Sequence, residues 1–156
     1  MILLHPEYHI READASDALL IMALDQHSNP HPWSESLIKD ALATRRNWVV
    51  GTQTDHQVVG WLTASQVADQ AELEQIVSHL AHRRKGLGKA LMQTWLKWCD
   101  EQSMYECLLE VRESNHAAIA LYQQLGFDIV GRRKNYYPLT SGGAEAAILM
   151  TRLTVK

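Results

Sequence analysis

Apolar residues recur at helical spacing in two segments near the N-terminus, after a short stretch at residues 9–13 that favours a strand. Asp14 or Ser16 is placed to cap the first helix, and Ser34 is placed to cap the second. Residues 27–32, which include two prolines, separate the two helices. The apolar side predicted for the first helix consists of Leu19, Leu20, Ala23 and Leu24, and the buried stripe predicted for the second consists of Leu37, Ile38, Ala41 and Leu42.

The rest of the chain combines apolar strand-like runs with two further helices. Strands are predicted at residues 48–51, 58–64, 72–78, 105–111, 128–133 and 146–153. A helix follows Gly86, because apolar residues recur there every three to four positions from Leu87 to Trp98. Another helix covers residues 115–125 and ends at Gly126. The resulting order, β-α-α-β-β-β-α-β-α-β-β, predicts a mixed α/β fold in which helices cover the faces of a sheet.

Length and composition indicate one globular domain over residues 1–156. Hydrophobic residues make up 46% of the chain and charged residues 21%, which are ordinary values for such a domain. The longest polar, glycine-containing stretch, at residues 140–143, is too short to separate domains. No apolar run approaches the ~18 residues of a membrane-spanning helix. The formal net charge of -3 disfavours direct binding of nucleic acid, for which a basic chain is usual.

Cysteine and histidine usage predicts a reduced, cytoplasmic protein without a metal site. Cys99 and Cys107 are too few for a disulfide framework, and we expect them to pack as small hydrophobic residues. The 8 histidines and 2 cysteines show no zinc-ligand spacing. Residues 1–6 lack the basic segment and the long apolar run of a secretory signal.

A basic loop with two glycines, Arg-Arg-Lys-Gly-Leu-Gly-Lys-Ala at residues 83–90, precedes the strongest predicted helix. Gly86 and Gly88 have no Cβ, so a ligand can approach their backbone closely. The first N–H groups of a helix have no partner within it and carry a partial positive charge, which suits a pair of phosphates. The loop matches neither the GxxxxGK[ST] nor the full GxGxxG pattern. It therefore indicates an anion site, with a solvated basic turn as the alternative.

Two side chains in the C-terminal half are candidates for acid–base chemistry. Glu110 lies in an apolar predicted strand and could be a general base, or an edge glutamate paired with Arg112 or Arg83. Tyr122 lies about two helical turns after Asn115 and could donate a proton, or it could be an ordinary core residue. The residues alone leave both alternatives open for each side chain.

Four blocks of the sequence together resemble one enzyme family. The motif Arg83-x-x-Gly86-x-Gly88 resembles the Q/R-x-x-G-x-G/A signature of the GCN5-related N-acetyltransferase (GNAT) family. Residues 110–127 are similar to the second half of that fold, and most resemble its RimI-type ribosomal-protein-alanine N-acetyltransferases. Residues 32–35 and 133–138 agree with the same assignment. The resemblance runs from about residue 8 to residue 153.

The resemblance implies a GNAT fold and acetyl-CoA as cosubstrate, without a metal. The sheet would be mixed and mostly antiparallel, with its fourth and fifth strands splayed so that the pantetheine lies between residues 72–78 and 105–111. Glu110 would be the general base and Tyr122 the general acid. The residues implied in cofactor binding are Ile76, Val77, Ser78, Arg84, Lys85, Gly86, Leu87, Gly88, Lys89 and Asn115.

The implied acceptor is the N-terminal amine, on alanine, of a small-subunit ribosomal protein. An α-amine has a reference pKa of about 7.7–8.0 against about 10.4 for lysine, so a single carboxylate base can deprotonate it more easily. Trp33, Tyr136 and Tyr137 could wall the acceptor groove, or they could be ordinary half-buried aromatic residues. Transfer to a small amine or to lysine is an alternative, and so is a catalytically silent acyl-CoA-binding module.

The sequence departs from the family pattern after the fourth strand. Ser78 stands where valine is usual, and His79-Leu80 stands where Asp-Pro is common. These differences bear on the cofactor contacts just after that strand and leave Glu110 and Tyr122 in place.

Overall fold

The predicted order of strands and helices is confirmed in the computed structural model, which describes residues 2–154. The strands are β1 (Tyr8–Glu12), β2 (Arg46–Thr52), β3 (Val58–Val67), β4 (Gln70–Ser78), β5 (Glu106–Arg112), β6 (Asp128–Pro138) and β7 (Ala144–Leu153). The helices are α1 (Ala18–Ser28), α2 (Glu35–Thr44), α3 (Leu87–Glu101) and α4 (His116–Gln124). Two short 3-10 helices, Ala15–Asp17 and Leu80–His82, come before α1 and α3.

The strands form one sheet in the order β1-β2-β3-β4-β5-β7-β6, which confirms the expected mixed α/β class. β1 with β2, β2 with β3, β5 with β7 and β6 with β7 are antiparallel pairs, whereas β4 and β5 run parallel. The parallel register joins Gln70 with Glu106, Ala71 with Cys107 and Glu72 with Leu108. Both strands then continue, β4 through residues 73–78 and β5 through residues 109–112.

The chain divides into two compact units, of which the first comprises the described residues up to Gln66 together with Leu73–Trp98. Its core is a cluster of buried side chains from α1, α2 and the strands. The cluster consists of Ile21, Leu24, Ile38, Ala41, Val49, Val58, Trp61 and Val77. Because the strand residues of this cluster are fully or almost fully buried, they fix the positions of α1 and α2.

The buried side of α1 differs from the one that apolar spacing predicts. Leu19 is 78% exposed, Leu20 is also exposed, and Leu24 is the one predicted position of α1 that is buried. A polar residue takes part of the inner face, because the Asp25 carboxylate accepts hydrogen bonds from the Trp33 backbone N–H (2.7 Å) and from Asn29 Nδ2 (2.8 Å). These bonds hold the turn between α1 and α2.

The cap predicted at Ser34 is present on α2, and one predicted core position of α2 is wrong. Asp14 caps the short helix Ala15–Asp17 rather than α1 itself, whose N-cap residue, Asp17, makes no side-chain cap hydrogen bond. The Asp14 side chain accepts the Ser16 N–H at 2.9 Å and starts the short helix before α1, while the Ser34 hydroxyl accepts the Leu37 N–H at 3.2 Å. The Leu37 side chain is exposed, because Ile38 and Ala41 form the buried side of α2.

The second unit comprises Val67–Glu72 together with the described residues from Cys99 onwards. Side chains alternate along β5, so Cys107, Leu109 and Val111 are buried and Glu110 points to the other face. Both cysteines are buried and free, as expected from their number and spacing. Within residues 2–154, no helix has the length and apolar character needed to cross a membrane.

Candidate active site

The basic loop before α3 presents its charged side chains to solvent. Arg84 and Lys85 are exposed, and Lys85 Nζ lies 3.6 Å from a Glu7 carboxylate oxygen. The adjacent Leu87 is buried and anchors the start of α3. Arg84 (φ +63°) and Gly86 (φ +78°) both adopt left-handed backbone conformations, which bend the chain sharply here.

The geometry of this loop fits a diphosphate. The Ala90 N–H donates to the Gly86 carbonyl at 3.0 Å as the first helical bond, so the N–H groups of residues 87–89 precede the hydrogen bonds of α3. A Cβ built on Gly86 would meet no atom within 4 Å, so the space beside its backbone is open. A Cβ on Gly88 would lie 3.9 Å from Ser78 Oγ, an ordinary contact. The loop therefore combines helix N–H groups that precede the first helical bond, cations and open space, which suits an anionic ligand.

The first cation of the motif has a structural partner. Arg83 Nη2 donates to the Ser28 carbonyl at the end of α1 at 2.9 Å, and its Nε lies 3.4 Å from the Ser78 carbonyl. Arg83 therefore ties the loop to α1 and to the end of β4. Arg84, Lys85 and Lys89 are the other cations of the loop, and all three are exposed.

His79, which stands where the family pattern has aspartate, caps the short helix Leu80–His82. His79 Nδ1 accepts the Ala81 N–H at 3.0 Å, and a short acidic side chain would accept the same bond. Burial lowers the pKa of His79, and electrostatic interactions with His27, His82 and Arg83 lower it further. The lowered pKa favours the neutral imidazole, which is the form whose nitrogen can accept the bond.

The end of β4 carries the three residues implied in pantetheine binding. Val77 is buried, and Ile76 and Ser78 are half-buried. The Ile76 N–H donates to the side-chain oxygen of the neighbouring Gln75 at 3.2 Å. A bond from an adjacent flexible side chain can be exchanged for one to a ligand, so this N–H remains suited to the implied contact.

In the second unit, Glu110 forms an ion pair that the sequence did not indicate. Its Oε1 lies 3.2 Å from Nη2 of Arg133 in β6, and its side chain is 21% exposed. The alternative partners considered from the sequence are both wrong, because Arg112 pairs with Glu145 at 3.0 Å and Arg83 bonds to backbone carbonyls. β7 lies between β5 and β6, so no local pattern could indicate Arg133.

Tyr122 lies on α4 with only 6% of its surface exposed. Its ring packs near Phe127, with a distance of 6.1 Å between ring centroids. Burial raises the pKa of Tyr122 to about 12, and the nearby Tyr137 hydroxyl adds to the increase. At neutral pH the Tyr122 hydroxyl therefore keeps its proton and can act as a donor.

Asn115 caps the same helix, because its side-chain oxygen accepts the Ala118 N–H at 3.2 Å.

The two tyrosines of β6 are each stacked with an arginine. The Arg133 guanidinium lies 4.8 Å from the Tyr136 ring centroid, and the Arg112 guanidinium lies 4.5 Å from that of Tyr137. Burial raises the pKa of Tyr137, and the negative charge of Glu110 raises it further. Tyr137 thus interacts electrostatically with Glu110, and Tyr122 with Tyr137, all within the second unit.

Trp33, the remaining predicted wall residue, lies in the first unit. Its ring is half-buried and meets the Trp61 ring edge-on at 5.6 Å between centroids. Its backbone N–H is held by Asp25. The ring packs against the core of this unit, and its contribution to an acceptor groove stays a prediction.

A mixed, mostly antiparallel sheet with a basic glycine loop at the start of α3 agrees with the acetyltransferase fold that the sequence resemblance implies. The acetyltransferase (GNAT) family model matches residues 14–127, and the chain belongs to this family of acetyltransferases.

Among residues 2–154, no cluster of histidine, cysteine and carboxylate side chains is arranged to hold a metal ion.

Relatives of the chain within the family carry a more specific name. The chain is 32% identical to [ribosomal protein bS18]-alanine N-acetyltransferase of Escherichia coli K12 over 140 residues, which cover 90% of this chain and 94% of the relative. It is 33% identical over 141 residues to the protein of that name from Haemophilus influenzae, with coverages of 90% and 95%. The crystal structure of the Escherichia coli S18-alanine enzyme matches with a TM-score of 0.89 at 31% identity, over 96% of this chain and 95% of that one. The Ard1 structure from Thermoplasma volcanium matches with a TM-score of 0.82 at 28% identity, over 96% and 99%.

Proposed function

We propose that this chain transfers the acetyl group of acetyl-CoA to the N-terminal α-amine, on alanine, of a small-subunit ribosomal protein. The observation that carries the proposal is the Glu110 carboxylate, which is half-buried, interacts electrostatically with Tyr137 and lies 3.2 Å from a guanidinium nitrogen of Arg133. The names of the relatives support the choice of acceptor, since they act on the alanine of ribosomal protein S18. With a ribosomal protein as the acceptor, we propose that the reaction takes place in the cytoplasm.

Glu110 is proposed to take the proton that makes the acceptor nucleophilic. An ammonium group has no lone pair, so a base must remove a proton, directly or through water, before nitrogen can attack a carbonyl. At pH 7 the neutral form of an α-amine is several hundred times more abundant than that of a lysine side chain, given reference pKa values of about 7.7–8.0 and 10.4. One carboxylate therefore suits an N-terminal acceptor well.

Tyr122 is proposed to act at the other end of the reaction, as a donor to the departing sulfur. Its pKa of about 12 lies far above the reference value of about 8.5 for a thiol, so complete proton transfer from Tyr122 would be uphill by roughly 5 kcal/mol. The hydroxyl can still donate a hydrogen bond that strengthens as negative charge develops on sulfur. We therefore propose that Tyr122 acts as general acid chiefly through this hydrogen bond.

Acetyl-CoA supplies the acetyl group as a thioester when it is bound. Arg84, Lys85 and Lys89, with the N–H groups of residues 87–89, are proposed to hold its diphosphate. The backbone of Ile76, Val77 and Ser78 and the side chain of Asn115 are proposed to hold the remainder of the cofactor. Trp33, Tyr136 and Tyr137 are proposed to contact the acceptor peptide.

The proposal is tested by incubating the purified chain with acetyl-CoA and a panel of acceptors. The panel holds peptides that begin with alanine, serine or methionine, a peptide with a blocked N-terminus and an internal lysine, and spermidine. We expect acetylation of the alanine peptide on its α-amine, located by fragmentation mass spectrometry. Preferential acetylation of lysine or spermidine would contradict the proposed acceptor, and no transfer to any member would contradict catalysis.

The diphosphate site is tested by placing a negative charge in the loop. We expect Gly88→Asp to weaken CoA binding by roughly tenfold or more, because the carboxylate would repel the diphosphate at the start of α3. Isothermal titration calorimetry with CoA measures the effect directly.

Gly88→Ala is the matched control, because the added Cβ would lie 3.9 Å from Ser78 Oγ, an ordinary contact, and adds no charge. We expect it to bind CoA within a few fold of the unmodified chain. Unchanged CoA affinity in a folded Gly88→Asp protein would contradict the proposed position of the diphosphate.

A further inference from the structure

Glu110 already has a cation beside one of its carboxylate oxygens, Oε1. A general base works within about 2.6–3.2 Å of the atom that carries the proton. Arg133 Nη2 stands 3.2 Å from Glu110 Oε1, which is within that range. At Oε1 the guanidinium therefore takes a position at the carboxylate that an ammonium group of the acceptor could also use.

The sheet register explains how Arg133 reaches Glu110 across an intervening strand. On one side of β7, Arg133 is registered with Ala147, and on the other side Ala147 is registered with Arg112, two residues after Glu110. Residues that oppose one another in an antiparallel sheet share a face, as do alternate residues in a strand. The small side chain of Ala147 therefore lets the long side chain of Arg133 extend over β7 towards Glu110.

Two features make the contact easy to break. The Arg133 side chain is 51% exposed, and an ion pair between such groups typically stabilises a protein by no more than about 1 kcal/mol. The guanidinium also lies over the Tyr136 ring, at 4.8 Å from the centroid, which gives it a second attachment point that does not involve Glu110. Arg133 can release the carboxylate and remain attached to Tyr136.

The neighbouring arginines are engaged elsewhere. Arg112 pairs with Glu145 at 3.0 Å, and Arg132 Nη2 donates to Glu113 at 2.9 Å. Arg133 thus differs from both in that its acidic partner is the proposed base. Arg132 has the same charge, lies next to it on β6 and keeps a separate partner, so it provides a matched control.

We propose that Arg133 is a positioning residue that holds Glu110 in the free protein and is displaced by the ammonium group of the acceptor. The proposal rests on the proposed role of Glu110 as base. An acceptor without a cationic amine cannot exchange with Arg133, so only acceptors that present a free ammonium group to Glu110 bear the cost of displacing the guanidinium. The cost of displacement raises the dissociation constant of the acceptor by up to about fivefold at low ionic strength.

The test measures binding of an alanine-initiated peptide to the protein saturated with CoA, so that no transfer occurs. Calorimetry at low salt compares the unmodified chain with Arg133→Met, Arg133→Lys and Arg132→Met, and each is also titrated with the same peptide after N-terminal acetylation. We expect Arg133→Met to bind the free-amine peptide up to about fivefold more tightly, with no gain for the acetylated peptide. Arg133→Lys and Arg132→Met should resemble the unmodified chain, and 1 M salt should remove the gain.

The outcomes separate this proposal from the proposed function. Unchanged or weaker binding of the free-amine peptide to Arg133→Met overturns the displacement of Arg133, even where the unmodified chain acetylates that peptide. An equal gain for the acetylated peptide also overturns it, because the ammonium group would then be irrelevant. If the unmodified chain neither binds nor acetylates any N-terminal peptide, the proposed function fails and the role of Arg133 fails with it.

Discussion

Replacing Glu110 by glutamine is expected to lower kcat/KM for an alanine-initiated peptide by roughly 10²-fold or more at neutral pH. Glutamine keeps the size of the side chain and its ability to accept a hydrogen bond, but it cannot take a proton from an ammonium group. The fold should survive the change, because the lost ion pair with Arg133 is half-exposed at its cationic end. Steady-state kinetics measures the loss, and calorimetry should show unchanged CoA binding.

The pH dependence gives this prediction a second readout. At high pH the acceptor amine is already neutral and no longer needs a base. The deficit of Glu110→Gln should therefore shrink as the pH rises through the α-amine range of about 7.7–8.0. A constant deficit across this range would indicate a role in positioning rather than in proton removal.

Glu113→Gln is the control for charge loss in the same unit. Glu113 follows β5 and pairs with Arg132, and its carboxylate has no assigned part in the chemistry. We expect it to retain kcat/KM within a few fold. A Glu110→Gln variant as active as this control near neutral pH would make Glu110 a structural residue.

Replacing Tyr122 by phenylalanine is expected to reduce kcat by roughly 10- to 150-fold, which is the loss of a hydrogen bond to a charged group of about 1.5–3 kcal/mol. The ring remains in its place beside Phe127, so packing is preserved and the hydroxyl alone is removed. A thermal melt should show a change in the free energy of unfolding no larger than about 0.5–1.5 kcal/mol. Kinetics at saturating acetyl-CoA and acceptor measures kcat.

An activated thioester distinguishes the two roles open to the Tyr122 hydroxyl. A leaving thiol of lower pKa needs less stabilisation, so such a donor should rescue Tyr122→Phe more than the unmodified chain. Tyr105→Phe, at an exposed tyrosine next to β5, is the control and should behave as the unmodified chain with both donors. Equal kcat values for Tyr122→Phe and this control would show that Tyr122 is only a core residue. A loss of kcat without rescue by the activated donor would indicate that the hydroxyl positions the sulfur.

The strand and helix pattern could be predicted because it depends on neighbours close in the chain. The alternation that buries Cys107, Leu109 and Val111 is readable from β5 alone, and it correctly sets Glu110 on the opposite face. The caps at Asp14 and Ser34 are equally local, since each bonds an N–H two or three residues away.

Burial within α1 and α2 could not be predicted in the same way. Leu19 and Leu37 have the hydrophobicity of core residues and are exposed, whereas Asp25 is fully buried. Burial of this carboxylate depends on the Trp33 N–H, eight residues further along the chain, and on the side chain of Asn29. Hydrophobicity describes a residue by itself, but a buried polar group is stabilised by partners that only the folded turn supplies.

The sequence by itself determined the order of the elements, the basic glycine loop at the start of α3, and the family resemblance that names Glu110 and Tyr122. These follow from periodicity and from motifs that are continuous in the chain. Tertiary structure alone decided that Arg133 pairs with Glu110, that Tyr137 interacts with both Glu110 and Tyr122, and that burial lowers the pKa of His79. Electrostatic interactions depend on distance in space, and the strand order β5-β7-β6 brings together side chains whose separation along the chain carries no information about that distance.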